Sequence, residues 1–405
     1  MPLQPFVRDP FLTTRYRRNG TRFLVFPQPR HVPGFAQPEI VHVNAAPGTI
    51  HAGPQDERIY VVDARHKTPY PPQPRRPGDL PPYAGPRLPP ARPDAAGHFD
   101  HVGPDAPAFR SATVFATVRC VLEIWEPYFG RRLPWHFRDT YPRLEVIPSV
   151  PMDNAASRYG YVELGFKTPS RPYCENFEVV AHEVGHLILK SVIGNPPEPK
   201  LLEFRAHEEA SADLVAMIAS LHFESVVDHV LERTRGKLFS TNAVSRIAEP
   251  VTRRTAFNDK TMTNVRWKPD PNSYKYGLSL PFTGAVFDIL VELYESRLVA
   301  RGAIPQTLAE RSAHVGPAAI LGVQRRFAEH FKRHRREFKP ALVHARDHVT
   351  QLLARTWAKT QPTDLSYARV VGNMLAADAE LTGGRHGGLI RRSFEWRRIL
   401  PPRSR

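Results

Sequence analysis

An α+β fold is expected from three features of the chain. Short alternating or β-branched runs fill the first 65 residues, apolar residues recur at helical spacing from about residue 176 onward, and a proline-dense stretch lies early in the chain. Strands first and helices afterwards is the order of an α+β protein.

The elements follow in chain order. Residues 1–65 form a strand-rich segment, with "TRFLVF" (21–26), "EIVHV" (39–43) and "ERIYVVDA" (57–64) as its strands. Residues 66–107 are expected to be a linker or a surface-wrapping segment. Eleven prolines fall between 69 and 93, a density that no helix or central strand tolerates. Residues 108–200 form a lobe carrying the candidate site helix. "SATVFATVRCVLEIWEPYF" (111–129) places Val114, Val118, Val121, Leu122 and Trp125 at helical spacing; "RLEVIPSV" (143–150) and "RYGYVELGF" (158–166) read as strands, and 176–193 as a helix. Residues 201–385 form a helical lobe, with helices over 205–224, 282–299, 307–335, 339–358 and 363–380. The last stretch, 386–405, is basic and ends in prolines, and is expected to be a mobile tail.

Composition narrows the function classes. The net charge of +16, from 56 basic and 40 acidic residues, favours acidic partners in general. Its densest clusters, "FKRHRREFK" (331–339) and the final fifteen residues, lack the aromatic interleaving that base stacking needs, so nucleic acid is not expected as a partner. No run of 18 or more apolar residues is present, so no transmembrane segment is expected. The N-terminus lacks the apolar core of a secretory signal, which points to a cytoplasmic protein or a specialised export route. Two cysteines, Cys120 and Cys174, are too few for a disulfide scaffold and lack the C-x-x-C spacing of a cysteine zinc site.

The chemistry concentrates in "VVAHEVGHLI" (179–188). On a helix, residues four apart share one face, so His182 and His186 point the same way and can share a metal ion. Glu183 sits beside them, placed to reach a water on that metal, the H-E-x-x-H arrangement. Downstream, "EFRAHEEASADLVAMIA" (203–219) puts Glu209 and Asp213 four apart on a second apolar helix. Glu209 can supply a third ligand and leave the fourth position to water. Asp213 can accept the free N–H of a ligating imidazole and fix its tautomer. His207 reads as exposed, and Phe282, Phe287 and Leu290 as core.

"HEVGH" (182–186) with "EASAD" (209–213) resembles the thermolysin-like zinc metalloproteases of the gluzincin type. The resemblance covers roughly residues 58–295 and is specific at these two motifs. It implies a β-rich N-terminal lobe and a mainly helical C-terminal lobe with the active site between them. It also implies a Zn2+ cofactor on His182, His186 and Glu209, Glu183 as the base, and Asp213 orienting His182. "DNAASRYGYVELGF" (153–166) looks like the family's substrate-binding edge strand, which nominates Asn154 and Ala155. "RIAEP" (246–250) nominates Arg246 for a substrate carbonyl, and "YGLSLPFTGAVFDIL" (276–290) resembles its later active-site helix. The implied activity is a zinc-dependent metalloendopeptidase working by Glu-assisted attack of zinc-bound water on a peptide or protein substrate. The chain departs from the family twice. Aligned on Ser279, Tyr276 stands where the family has its oxyanion-stabilising histidine, with Tyr274 a second candidate, and "NPPEPKLLEF" (195–204) lacks the family's upstream tyrosine. These departures keep an alternative open: a catalytically weak or inactive gluzincin-fold protein that binds zinc and serves as an interaction protein.

Overall fold

Burial alternates along β1 (Thr21–Val25), where Thr21, Phe23 and Val25 turn inward, and β1 pairs antiparallel with β2 (Glu39–Val43), Phe23 opposite Val41. This is the period-two pattern that sets strand register. In this computed structural model the described residues are 9–71, 77–196, 202–240, 242, 245–247, 254–265, 271–313, 320–363 and 365–401. They fall into two units, the first holding the chain up to Val192 and the second resuming at Ile193.

In the first unit the β1–β2 hairpin packs on α1 (Phe109–Phe129), where Phe23 meets Phe115 at 5.7 Å, and Phe23 also stacks on Phe99 at 4.8 Å. α1 stops at Gly130, whose φ of 67° is the left-handed conformation that lets its N–H reach back to the Glu126 and Pro127 carbonyls. β3 (Ile59–Val61), β4 (Leu144–Ile147), β5 (Ala155–Arg158) and β6 (Tyr161–Leu164) form a four-stranded sheet in the order β3-β4-β6-β5. β3, β4 and β6 run parallel, and β5 is antiparallel at the edge. The single strand expected over 158–166 is therefore a turn followed by one arm of a hairpin: Gly160, at φ 92°, reverses the chain between Arg158 and Tyr161.

The described part of the proline-rich stretch wraps this sheet. Ala64 bridges to Arg87 and Gly53 to Ala91. Tyr83 N–H donates to Glu145 at 2.8 Å, and the Tyr70 hydroxyl donates to the same carboxylate at 2.8 Å. Glu145 and Glu163 lie fully buried on the sheet, where an unsatisfied carboxylate would be costly. The proline-rich chain and its flanks satisfy both: Glu163 accepts from Tyr70 N–H and is paired with Lys67. Residues 72–76 of that stretch lie outside the described residues. The unit ends with α2 (Phe177–Ile193). Cys120 and Cys174 are both free and buried.

The second unit is mainly helical. α3 (Leu202–Ser220) is followed by α4 (Glu224–Thr234), bent 94° from it, so the helix expected over 205–224 stops four residues early. A short ladder of β7 (Arg246–Ile247) and β8 (Arg254–Thr255) precedes α5 (Pro271–Ala300), which starts eleven residues before its expected first turn. α6 (Gln306–Ala313), α7 (Ile320–Ala358) and α8 (Tyr367–Thr382) follow. α7 joins the ends of two expected helices, with non-helical φ/ψ at His334 just ahead of Pro340, where the missing N–H interrupts the ladder. Residues Tyr274–Ala300 of α5 are long and apolar enough to cross a membrane by length and composition, but 72% of that window is buried as core. Phe282, Phe287 and Leu290 are part of that core, as expected.

The expected mobile tail is a correction. Residues 387–396 form α9 (Gly387–Trp396), with Ile390 and Phe394 fully buried. Arg397 is anchored by donating to Asp288 at 2.7 Å and to the Asn258 carbonyl at 2.7 Å. The sequence hides this because only three apolar residues of α9, Leu389, Ile390 and Phe394, are buried, among the basic residues Arg391, Arg392, Arg397 and Arg398.

Candidate metal centre

α2 is apolar around most of its circumference. Val179, Val180, Ala181, Val184, Leu187, Ile188 and Leu189 are all buried, so polar side chains placed among them are buried as well. Its start is fixed by Asn176, whose Oδ1 accepts from the Glu178 and Val179 N–H groups at 3.1 and 3.3 Å, a side-chain N-cap. Glu178 in the first turn accepts from Gln28 at 2.7 Å, and a carboxylate there complements the helix dipole. The cap sets which residues face inward one and two turns later.

Those residues are His182, Glu183 and His186, 7%, 7% and 8% exposed. The two imidazoles meet edge to face, ring centroids 4.8 Å apart, with Nε2 to Nε2 at 3.2 Å. Two imidazole nitrogens at bonding distance from a tetrahedral zinc ion stand about 3.3–3.4 Å apart. The pair therefore already has the separation that one ion requires, and the donor set fits a metal.

The expected third ligand and the residue expected to orient His182 lie on the second unit. Glu209 and Asp213 sit one turn apart on α3, at 3% and 0% exposure. Glu209 Oε1 accepts from Lys275 Nζ at 2.5 Å. Burial pulls the Lys275 ammonium down, and the Glu209 carboxylate more than offsets this, so Lys275 is held above its ordinary value. Lys275 was not among the residues read from the sequence; nothing in local spacing links position 275 to position 209. The first unit thus carries two buried imidazoles on α2, and the second a buried carboxylate on α3, residue types that can ligate a metal.

Asn154 is exposed and Ala155 opens β5, the edge strand, so both stand where a peptide could add to the sheet. Tyr276 lies within the first turns of α5, 39% exposed, with Lys275 Nζ 4.7 Å from its ring centre. Tyr274 lies in the same turns. Arg246 begins β7, paired with Thr255; its side chain is outside the described residues.

His207, expected to be exposed, is fully buried. Its ring meets Phe282 edge to face at 4.8 Å and its Nε2 lies 3.3 Å from Ser211 Oγ. Burial pushes it down to about 3, so it is a neutral core side chain. Its neighbour Glu208 suggested a solvated face, but α3 is buried nearly all round.

No protein-family model and no curated protein matches this sequence. Among solved structures, the chain is similar to the precursor of protealysin, a metalloproteinase from Serratia proteamaculans. The identity is 12%, the match covers 89% of this chain and 91% of that one, and the TM-score is 0.50. The similarity is one of fold: strands in the N-terminal part and a mainly helical C-terminal part, the thermolysin-like α+β arrangement expected from the sequence.

Proposed function

We propose that this chain is a zinc-dependent metalloendopeptidase. The observation that carries the proposal is the buried His182–His186 pair, its Nε2 atoms 3.2 Å apart, with Glu183 buried beside it on the same helix. Two imidazoles at this separation with a carboxylate beside them are the ligand pair and base of the H-E-x-x-H arrangement. His182, His186 and Glu209 would hold it, with Asp213 orienting His182. Bound there, zinc would polarise the scissile carbonyl and acidify a water.

Glu183 then takes a proton from the attacking water and passes it to the leaving nitrogen. Asn154 and Ala155 bind the substrate backbone as an added strand, which places the peptide before reaction. Tyr276 donates a hydrogen bond to the developing oxyanion, with Arg246 on a neighbouring carbonyl. The fold similarity to a metalloproteinase precursor supports this reading.

A second reading, a weak or inactive gluzincin-fold binding protein, is favoured by one contact. The Lys275 ammonium on Glu209 is a cation that competes with a metal for that carboxylate. Hydrolysis of an unstructured protein separates the two readings. The first expects cleavage by the wild type that disappears with a zinc chelator and in Glu183→Gln, while the variant retains its metal. A zinc-loaded wild type that leaves the protein intact supports the second.

A further inference from the structure

Far along the chain from α2, three side chains of the second unit converge. His348 comes from α7, Asp378 from α8, and His386 from the turn that caps α9. Each offers one ligand atom, and these atoms lie within 4.8 Å of one another. The two rings meet edge to face with centroids 4.8 Å apart.

The cluster is built, not incidental. Asp378 is fully buried, and Oδ2 accepts the His386 backbone N–H at 3.0 Å while Oδ1 accepts the Thr382 hydroxyl at 2.7 Å. These bonds wind the 382–386 turn around the carboxylate, with Gly383 and Gly384 at φ 73° and 82° supplying its left-handed residues. The turn thereby holds His386 against His348. His348 is 6% exposed, and its Nε2 is buried with no hydrogen-bond partner among the described residues. A buried imidazole nitrogen normally finds a partner.

We infer that His348, Asp378 and His386 form a second divalent transition-metal site, of the kind that takes zinc, distinct from the pair on α2. Two imidazoles and one carboxylate suit zinc or a neighbouring first-row ion and are too nitrogen-rich for calcium or magnesium. The C-terminal end of the α8 dipole adds negative potential beside the cluster. A bound ion would cross-link α7, the end of α8 and the start of α9, fixing the C-terminal helix by a contact that needs no further apolar area.

The test uses the full-length, metal-free chain with His182→Ala and His186→Ala, so that the first pair cannot contribute. Co2+ is the probe, because its visible absorption reports ligand number and type. The double variant should take up one Co2+ equivalent, and Zn2+ should displace it. Adding His348→Ala should weaken uptake by more than about 100-fold. Adding instead His386→Gln, at a half-buried position that spares the core, should do the same with unchanged circular dichroism. A folded double variant that takes up no Co2+ overturns the inference, as does uptake that neither further substitution alters. Because the first pair is absent, neither result depends on peptidase activity.

Discussion

His182 and His186 meet with ring centroids 4.8 Å apart at 86°, and His348 and His386 meet at 4.8 Å and 75°. The first pair comes from successive turns of one capped helix. The second is made by a helix and a glycine-bearing turn 38 residues further on, held by the Asp378 carboxylate. Similar ring geometry thus rests on helix rise in one place and on tertiary packing in the other. The first should survive any change that leaves α2 intact, whereas the second should respond to whatever loosens α9.

The largest effect separates the two pairs directly. His186→Ala should lower metal content by one equivalent and peptidase activity by about 10³-fold or more, with the cluster on α7–α9 still binding. Metal analysis and a cleavage assay on one preparation check both. Next, Phe394→Ala removes a fully buried ring that packs on Phe282 at 5.3 Å. It should cost about 3–5 kcal/mol in urea unfolding and weaken Co2+ uptake at His348 and His386, leaving the α2 pair unchanged.

A smaller effect comes from pH. His207 is held at about 3 by burial, below its ordinary 6.5, so between those values the unfolded chain binds one proton more than the folded chain. Stability should therefore fall as pH drops below 6.5, by up to about 1.4 kcal/mol per pH unit from this group. His207→Leu should remove that share of the slope when unfolding midpoints are compared across the window. The smallest effect is Asn176→Ala, which removes the cap of α2 and should cost about 1 kcal/mol by thermal or urea melting.

The sequence offers three pairs of histidines four apart: 182/186, 330/334 and 344/348. Only the first lies inside a continuous apolar run, and it is the one with close, buried rings. His330 and His334 stand 6.1 Å apart and stacked on a largely exposed stretch of α7. His348 turns to His386 instead of to His344. Spacing and apolar flanks together made α2 legible, because a helix fixes side-chain direction locally. The layout of strands before helices, the main helices and the buried Phe282 followed from the same short-range periodicity; the order of strands in the sheet did not. Lys275 on Glu209, the burial of His207 and the cluster around Asp378 were not legible, because each depends on packing between elements distant in sequence. α9 escaped for a related reason: its anchors Leu389, Ile390 and Phe394 are few, and only the surrounding helices make them core.

The most direct measurement is a titration of the metal-free chain with Zn2+, in a His348→Ala background that disables the cluster on α7–α9, with cleavage of an unstructured protein as the readout. Activity should rise linearly and reach a plateau at one equivalent, and Glu183→Gln should bind the same equivalent without activity. A folded chain that binds one zinc through His182 and His186 and cleaves nothing at any loading would contradict the assignment as a metalloendopeptidase.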